Sequence, residues 1–203
     1  MSLDIRVFGE HELLDLVERG EALPDHLVSI GNPRFPLKPA EDGQRLQPRF
    51  RSAFRRILRL SFYDVETPSQ LGPWRPLVPR RVPELRDARR VLRFFETTRA
   101  EASGYALHCW AGISRSTAVA LALLYRLTDS EREAGRVLRR IRPEGMPNLR
   151  LASLFDRLLG SSLHEEAARI HRDRLASMSE EIDRMLDGLV EEFPAASEGE
   201  LDA

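Results

Sequence analysis

The feature of this sequence that most constrains its fold is an alternation of two kinds of short segment. Four runs are rich in branched and aromatic residues and are bounded by glycine, proline or charged turns, namely residues 3–8, 26–31, 56–63 and 104–109. Between and after them, apolar residues recur at helical spacing over residues 10–19, 83–100, 115–127, 130–142 and 148–160. Strands interleaved with helices form sheets that are covered by helices. We therefore predict an α/β fold with a central, mostly parallel sheet of about four to five strands.

Length and charge distribution indicate one domain with a C-terminal extension. A chain of 203 residues, 42% of them hydrophobic, can bury one core. Residues 1–160 carry 27 basic and 20 acidic side chains, whereas residues 161–203 carry 4 basic and 12 acidic ones. We predict a globular domain over 1–160, a helical extension over 161–193 and a disordered acidic tail over 194–203.

The extension carries an apolar stripe. Its apolar side chains follow a spacing of three and four, at positions 175, 178, 182, 185, 186, 189 and 193. An amphipathic helix of this kind needs a partner surface. We expect the stripe to pack on its own domain or, as the alternative, on a second copy of the chain, which would make a homodimer through this helix.

Two stretches dense in proline, residues 32–50 and 65–82, predict loops rather than regular structure. Connections of this length inside a compact domain often form functional lids or rims, although linkers without a role are the alternative.

Composition argues against several classes of function. Thirty of the 31 basic residues are arginine, a bias that we attribute to GC-rich coding rather than to a nucleic-acid surface. The single cysteine excludes an internal disulfide, and no segment has the pattern of a secretory signal or of a membrane span. No histidine–carboxylate cluster suggests a metal. We expect a cytoplasmic protein without metal or cofactor and without a nucleic-acid partner.

The single cysteine lies in the run LHCWAGISRST, residues 107–117. Cys109 ends a predicted strand, Gly112 follows in a short loop, and Arg115 opens a predicted helix. A strand-to-helix turn can point successive backbone N–H groups inward, and the helix N-terminus adds positive charge at the same point. Such a loop fits an anion of the size of a phosphate.

The same surroundings would favour the thiolate, which is the nucleophilic form of cysteine. The planar guanidinium of Arg115 could hold two phosphoryl oxygens and stabilise the transition state. We therefore predict that Cys109 is a nucleophile. The residues predicted to form the phosphate-binding loop are Trp110, Ala111, Gly112, Ile113, Ser114 and Arg115.

The pattern His-Cys-x-x-Gly-x-x-Arg-Ser, from His108 to Ser116, resembles the signature of the cysteine-dependent protein tyrosine and dual-specificity phosphatases. Together with HELLDLVE, HLVSIGNP, LRLSFYDVE and MPNLRLASLFDRLLG, it resembles a small bacterial group of predicted tyrosine phosphatases over about residues 3–160. The resemblance implies a phosphocysteine on Cys109. It implies that the Ser116 hydroxyl helps the thiolate to leave, unless Ser116 only caps the helix. It gives His108 a role in orienting the loop and tuning the thiol, with an ordinary core histidine as the alternative.

The resemblance also implies a general acid on a separate loop. In family members an aspartate follows the strand that comes before the helix leading into the signature strand. Asp64 occupies that place here, directly after the predicted strand 56–63. Glu66 is the second candidate for the acid. The group commonly carries a pair of aspartates here, and Tyr63 replaces the first of them. Asn148, in a Pro-Asn pair ahead of a late helix, is expected to support the site or to cap that helix.

The predicted function is hydrolysis of phosphate monoesters, with phosphotyrosine on protein as the leading substrate. The loop side chains Trp110, Ala111 and Ile113 are apolar, whereas related phosphoinositide phosphatases usually carry lysines there. A dual-specificity or small-molecule phosphatase is an alternative. A catalytically weak phosphoprotein-binding module is another, but such modules typically lose the cysteine, the arginine or the acid, and all three are present. The expected partner is a phosphorylated protein or peptide substrate.

Overall fold

The computed structural model describes residues 3–33, 48–67, 69–70 and 81–192, with side chains described at all of these positions except 48, 49 and 186–192. Its strands are β1 (Asp4–Gly9), β2 (His26–Gly31), β3 (Arg56–Ser61) and β4 (Gly104–Cys109). Its helices are α1 (Glu10–Glu18), α2 (Pro48–Ala53), α3 (Leu85–Thr98), α4 (Arg115–Thr128), α5 (Glu131–Ile141), α6 (Leu149–Leu159) and α7 (Leu163–Glu192).

The four strands form one parallel sheet in the order β1-β4-β2-β3. This confirms the predicted α/β class and the mostly parallel sheet. Strands β2 and β4 lie in the interior of the sheet and are buried at every position, which matches their nearly continuous apolar sequences. Because all strands run in one direction, their carboxyl ends meet at one edge of the sheet, where ligands bind in open parallel sheets.

Alternate residues of each strand serve two separate cores. On one face, Val7, Val28 and Leu107 pack with the helices α3 to α6. On the other face, Phe8 and Leu27 pack with residues of α1 and α2. The period of two along each strand therefore places helices on both sides of the sheet. Helix α4 is buried at ten successive positions, from Arg115 to Leu124, so its first turn is held inside the protein.

Helix α2 was not predicted, because its first three residues belong to the proline-rich stretch 32–50 that was predicted as a loop. Pro48 stands at the first helical position, where its missing N–H costs no hydrogen bond. Phe50 and Phe54 are buried against the sheet. Of the two predicted loops, residues 34–47, 68 and 71–80 lie outside the described part of the chain.

Helix α7 has a buried beginning and an exposed continuation. Leu163, Ala167 and Ile170 recur at helical spacing and belong to the main core. Further along, Leu175, Met178, Ile182 and Met185 are 56%, 38%, 53% and 68% exposed. The default expectation that the stripe packs on its own domain is therefore wrong for these four side chains, because the helix extends past the end of the core. The positions beyond Met185 in the stripe and the predicted acidic tail lie outside the described side chains.

Among the described residues, no helix combines the length and the apolar character that a membrane span requires.

Candidate active site

The loop between β4 and α4 lies at the carboxyl edge of the sheet. Gly112, in its middle, has a φ of 73° and lies directly against the end of β1. A Cβ at this position would lie 2.5 Å from the backbone nitrogen of Gly9 and 2.5 Å from the carbonyl carbon of Phe8. Both the left-handed backbone and the lack of space therefore require glycine.

The carbonyl oxygens of the loop are held from its outer side. Four of them accept hydrogen bonds from neighbouring segments: Trp110 from the N–H of Glu10 at 3.0 Å, Ala111 from the guanidinium of Arg142 at 3.3 Å, Ile113 from the N–H of Met146 at 2.8 Å and Ser114 from the N–H of Asn148 at 3.1 Å. Within the described chain, no backbone acceptor is found for the N–H groups of residues 110–115. The loop thus keeps its donors free for an anion.

Cys109 ends the central strand and is almost fully buried, at 1% exposure. Its Sγ lies 3.2 Å from the Oγ of Ser116, which stands in the first turn of α4. The hydroxyl can donate to a thiolate at this distance. The structure therefore brings together the sulfur and the hydroxyl that were both predicted as site groups.

Arg115 is held by one of its three nitrogens. It is 3% exposed, and its Nη1 donates to the Oδ1 of Asn32 at 2.7 Å and to the carbonyl of Phe62 at 2.9 Å. Its Nε has no hydrogen-bond partner in the described structure and lies 3.7 Å from the Oδ2 of Asp64. A buried N–H without a partner is costly, and a phosphate oxygen would satisfy it.

Asn32 was missed by the sequence reasoning. It directly follows β2 in the run SIGNP, so its amide lies at the same edge of the sheet as Cys109. A polar residue at the carboxyl end of a parallel strand is the signal that could have found it.

Asp64 lies next to the loop, three residues after β3. Its Oδ1 accepts hydrogen bonds from the Oγ of Ser114 at 2.7 Å and from the Nδ2 of Asn148 at 3.1 Å. Its Oδ2 is the oxygen that faces Arg115. Asp64 is thus held beside the arginine by two donors, one from the loop and one from the start of α6.

Glu66, the reserve candidate for the acid, is engaged elsewhere. Its Oε1 accepts a hydrogen bond from the N–H of Leu149 at 3.2 Å, in the first turn of α6. A carboxylate at a helix N-terminus stabilises the helix. The structure therefore gives Glu66 a capping contact.

Asn148 performs two tasks with one amide group. Its Oδ1 accepts from the N–H of Leu151 at 2.9 Å and so caps α6, while its Nδ2 donates to Asp64. The helix cap and the support of Asp64 therefore depend on the same side chain.

His108 is fully buried beneath the loop. Its Nε2 is hydrogen-bonded to the Oγ of Ser29 at 2.8 Å, and its ring packs edge-on against Phe50 at 5.2 Å. Burial, and secondarily the positive charge of Arg115, lowers the pKa of His108 to about 4. The imidazole is therefore neutral at neutral pH and adds no charge next to the loop.

The rim of the loop is apolar. Trp110 is 66% exposed and Ile113 is 36% exposed, so both side chains stand at the surface next to the buried thiol. Among the described residues, no group of three or more histidine, cysteine, aspartate or glutamate side chains is arranged to hold a metal ion.

No protein-family model and no curated protein sequence matches this chain. Solved structures do match it. DUSP15 is 19% identical with a TM-score of 0.50, over 83% of this chain and 90% of that one. The Yvh1 phosphatase domain from Chaetomium thermophilum is 17% identical with a TM-score of 0.50, over 79% and 92%. At this identity the likeness establishes the fold, and it confirms that the chain is folded like the dual-specificity phosphatases that its signature resembles.

Proposed function

We propose that this chain is a cysteine-dependent phosphatase that hydrolyses phosphate monoesters through a phosphocysteine intermediate. The observation that carries the proposal is the convergence of four groups at one loop with free N–H donors. The buried thiol of Cys109 lies against the Ser116 hydroxyl, and the Nε of Arg115, which has no hydrogen-bond partner in the described structure, lies 3.7 Å from Asp64. Each group supplies a different part of a phosphoryl transfer.

In the first step the Cys109 thiolate attacks phosphorus, so that an S–P bond forms while the bond from phosphorus to the leaving oxygen breaks. The loop N–H groups and Arg115 hold the remaining phosphoryl oxygens and stabilise their charge in the transition state. The leaving oxygen takes a proton from Asp64.

The contacts of Asp64 indicate which oxygen carries that proton. Oδ1 accepts from two donors, Ser114 and Asn148, so both of its lone pairs are engaged. Oδ2 has no hydrogen-bond donor in the described structure and faces Arg115. We therefore place the transferable proton on Oδ2, the oxygen on the side of the phosphate-binding Arg115.

In the second step water attacks the phosphocysteine and the S–P bond breaks. Asp64, now ionised, accepts a proton from the water, and inorganic phosphate is released. The Ser116 hydroxyl, 3.2 Å from the sulfur, donates a hydrogen bond to the departing thiolate. The hydroxyl therefore matters more in this step than in the first.

We further propose that the substrate is phosphotyrosine on a protein or peptide. The exposed side chains at the loop rim, Trp110 and Ile113, offer an apolar surface to the ring of a phosphorylated aromatic residue. A nucleophilic thiol that has to stay reduced suits a reducing compartment such as the cytoplasm.

The test is turnover of para-nitrophenyl phosphate without added metal, followed by phosphotyrosine, phosphoserine and phosphothreonine peptides. We expect wild-type turnover, a preference for phosphotyrosine, and no turnover by Cys109→Ser, which should still bind phosphate. Phosphate binding without turnover by the wild-type chain would instead identify a binding module. Equal rates on the three kinds of peptide would contradict the tyrosine preference alone.

A further inference from the structure

We propose that His171, on the C-terminal helix α7, is a positioning residue for the general acid Asp64. This inference rests on the proposed phosphatase function and extends the active-site support beyond the loops that carry the reacting groups. The contact that carries it is the hydrogen bond from the Nε2 of His171 to the carbonyl oxygen of Pro147, at 2.8 Å.

The peptide unit between Pro147 and Asn148 is held at both ends. Its carbonyl oxygen accepts from His171, and its N–H donates to the carbonyl of Ser114 at 3.1 Å. A peptide unit is planar, so these two bonds fix its orientation between the helix α7 and the phosphate loop. Without the bond from His171, only the bond to Ser114 would hold this unit.

The orientation of this peptide unit sets the direction of the Asn148 side chain. Asn148 follows directly, and its Nδ2 donates to the Oδ1 of Asp64 at 3.1 Å. The path from His171 to the acid thus runs through one peptide unit and one side chain. A shift of the Asn148 amide would leave Ser114 as the single remaining donor to Asp64.

Helix α7 is itself fixed where His171 stands. Leu163, Ala167 and Ile170 are buried in the main core on the turns before it. Asp173, two residues after His171, forms ion pairs with Arg139 of α5 at 2.6 Å and with Arg169 of its own helix at 3.2 Å. The imidazole is therefore presented from a rigid helix, which is the condition for precise positioning.

The chemistry of the contact defines what can replace it. A carbonyl only accepts, so the Nε2 of His171 must carry the hydrogen. Both the neutral ring with the proton on Nε2 and the charged ring satisfy this, so the contact does not require a change of protonation. A glutamine places an amide N–H near the position of Nε2, whereas an asparagine is too short to reach it.

The experiment compares four variants of the full chain: His171→Ala, His171→Asn, His171→Gln and the control His164→Ala. His164 lies on the same helix and is exposed, with only its backbone N–H engaged. Each variant is assayed with a phosphotyrosine peptide, whose phenol needs a proton to leave, and with para-nitrophenyl phosphate, whose phenol leaves unaided. Melting temperatures are recorded alongside.

We expect His171→Ala and His171→Asn to lower kcat on the phosphotyrosine peptide by roughly ten- to a hundredfold, the range caused by a small misplacement of a catalytic group. The loss on para-nitrophenyl phosphate should be much smaller, KM should change little, and His171→Gln should recover most of the activity. A loss shared by His164→Ala, equal losses on both substrates, or Gln no better than Asn would overturn the inference.

The same series of variants distinguishes a positioning role of His171 from a purely structural one. If His171→Ala does not fold, the comparison of His171→Gln with His171→Asn tests the inference. Both variants carry a polar amide, and only the glutamine is long enough to reach the Pro147 carbonyl. An inactive wild-type chain would overturn the proposed function and this inference together. An active wild-type chain with unchanged His171 variants would overturn this inference alone.

Discussion

Two side chains, Cys109 and Asp64, must hold opposite protonation states for the proposed reaction. Cys109 attacks as a thiolate, whereas Asp64 must be protonated to give its proton to the leaving oxygen. The rate should therefore rise with pH as the thiolate and the substrate dianion form, and fall again as Asp64 loses its proton. We expect a bell-shaped profile, because the reaction needs these two groups in opposite protonation states.

Replacing Asp64 by asparagine tests its assignment as the acid. Asp64→Asn should lower kcat on a phosphotyrosine peptide by roughly 10²- to 10⁴-fold, the usual contribution of a positioned acid, and should remove the basic limb of the pH profile. The loss on para-nitrophenyl phosphate should be much smaller. Steady-state kinetics across pH measure both effects.

The matched control is Glu66→Gln, because Glu66 lies on the same loop and its carboxylate contacts the N–H of Leu149 at the start of α6. An amide oxygen can keep that contact, so the control should retain its activity. The acid role would belong to Glu66 if Asp64→Asn kept wild-type activity on the peptide, or if Glu66→Gln lost the basic limb of the pH profile.

His108 predicts a pH dependence of stability. Its pKa is about 4 in the folded chain, below the ordinary value of 6.5. Between these values the unfolded chain binds more protons, so the free energy of unfolding falls as pH decreases from 6.5 to 4. The contribution of this one group is on the order of 3 kcal/mol.

Chemical denaturation at pH values from 7 to 4 measures this effect, with His108→Gln as the reference. A glutamine can keep a hydrogen bond to Ser29 but does not titrate in this range. The wild-type chain should lose more stability than the variant over this window. Parallel curves for the two proteins would show that His108 is not buried in its neutral form.

At the scale of secondary structure, most of the fold follows from local sequence patterns. The four predicted strands and the five predicted helices within residues 3–160 are all present, with ends shifted by about two residues or less. Each has a strong pattern, either a short branched run or helical spacing with a cap such as Ser130 of α5. Helix α2 lacks such a pattern. It is too short to be stable on local sequence alone, and it is held by the burial of Phe50 and Phe54 against the sheet.

From the residues alone, the candidate site was predictable only where its residues share one segment, whereas Asp64 and Asn148 were named only through the family resemblance. His108, Cys109, Arg115 and Ser116 belong to a single strand–loop–helix run, so their spacing in sequence implied their proximity. The contacts of Asp64 with Ser114 and Asn148 join three segments that are far apart in sequence. The anchoring of Arg115 by Asn32 joins a fourth. No local pattern encodes such contacts, because they arise from the packing of the whole sheet edge.

The loop itself depends on Gly112. We expect Gly112→Ala to abolish turnover and the stabilisation of the protein by added phosphate, because its Cβ would collide with the backbone at the end of β1. Gly20→Ala is the matched control: Gly20 has a similar φ of 67° but nothing within 4 Å of its Cβ position.

The control should therefore show only the cost of a left-handed backbone, about 1 kcal/mol, and normal activity. Thermal unfolding with and without phosphate, together with turnover, measures both variants. Normal phosphate binding by Gly112→Ala would show that the loop does not need its present backbone shape.

At the scale of the whole molecule, the apolar stripe of α7 is exposed to solvent and would be stabilised by burial against a partner surface. Leu175, Met178, Ile182 and Met185 follow the three–four spacing of a coiled-coil seam, and they stay exposed in the single chain. We propose that the stripe pairs with the same stripe of a second copy. Sedimentation equilibrium over a range of concentrations should then show a monomer–dimer equilibrium.

The variant Ile182→Lys should shift that equilibrium to the monomer, because it places a charge in the centre of the seam. Ala176→Lys adds the same charge at an exposed position on the opposite face of the helix and should leave the dimer intact. A wild-type chain that is monomeric at all concentrations would exclude self-pairing and leave the stripe for a different protein.

The central claim is that Cys109 carries the phosphoryl group during turnover, and mass spectrometry of acid-quenched protein tests it most directly. Ser116→Ala should slow the departure of the thiolate, so the intermediate should accumulate while para-nitrophenyl phosphate is consumed. We predict a phosphoryl adduct on the peptide that contains Cys109, and neither adduct nor turnover with Cys109→Ser. Turnover that persists in Cys109→Ser, or a phosphoryl group trapped on another residue, would contradict the account.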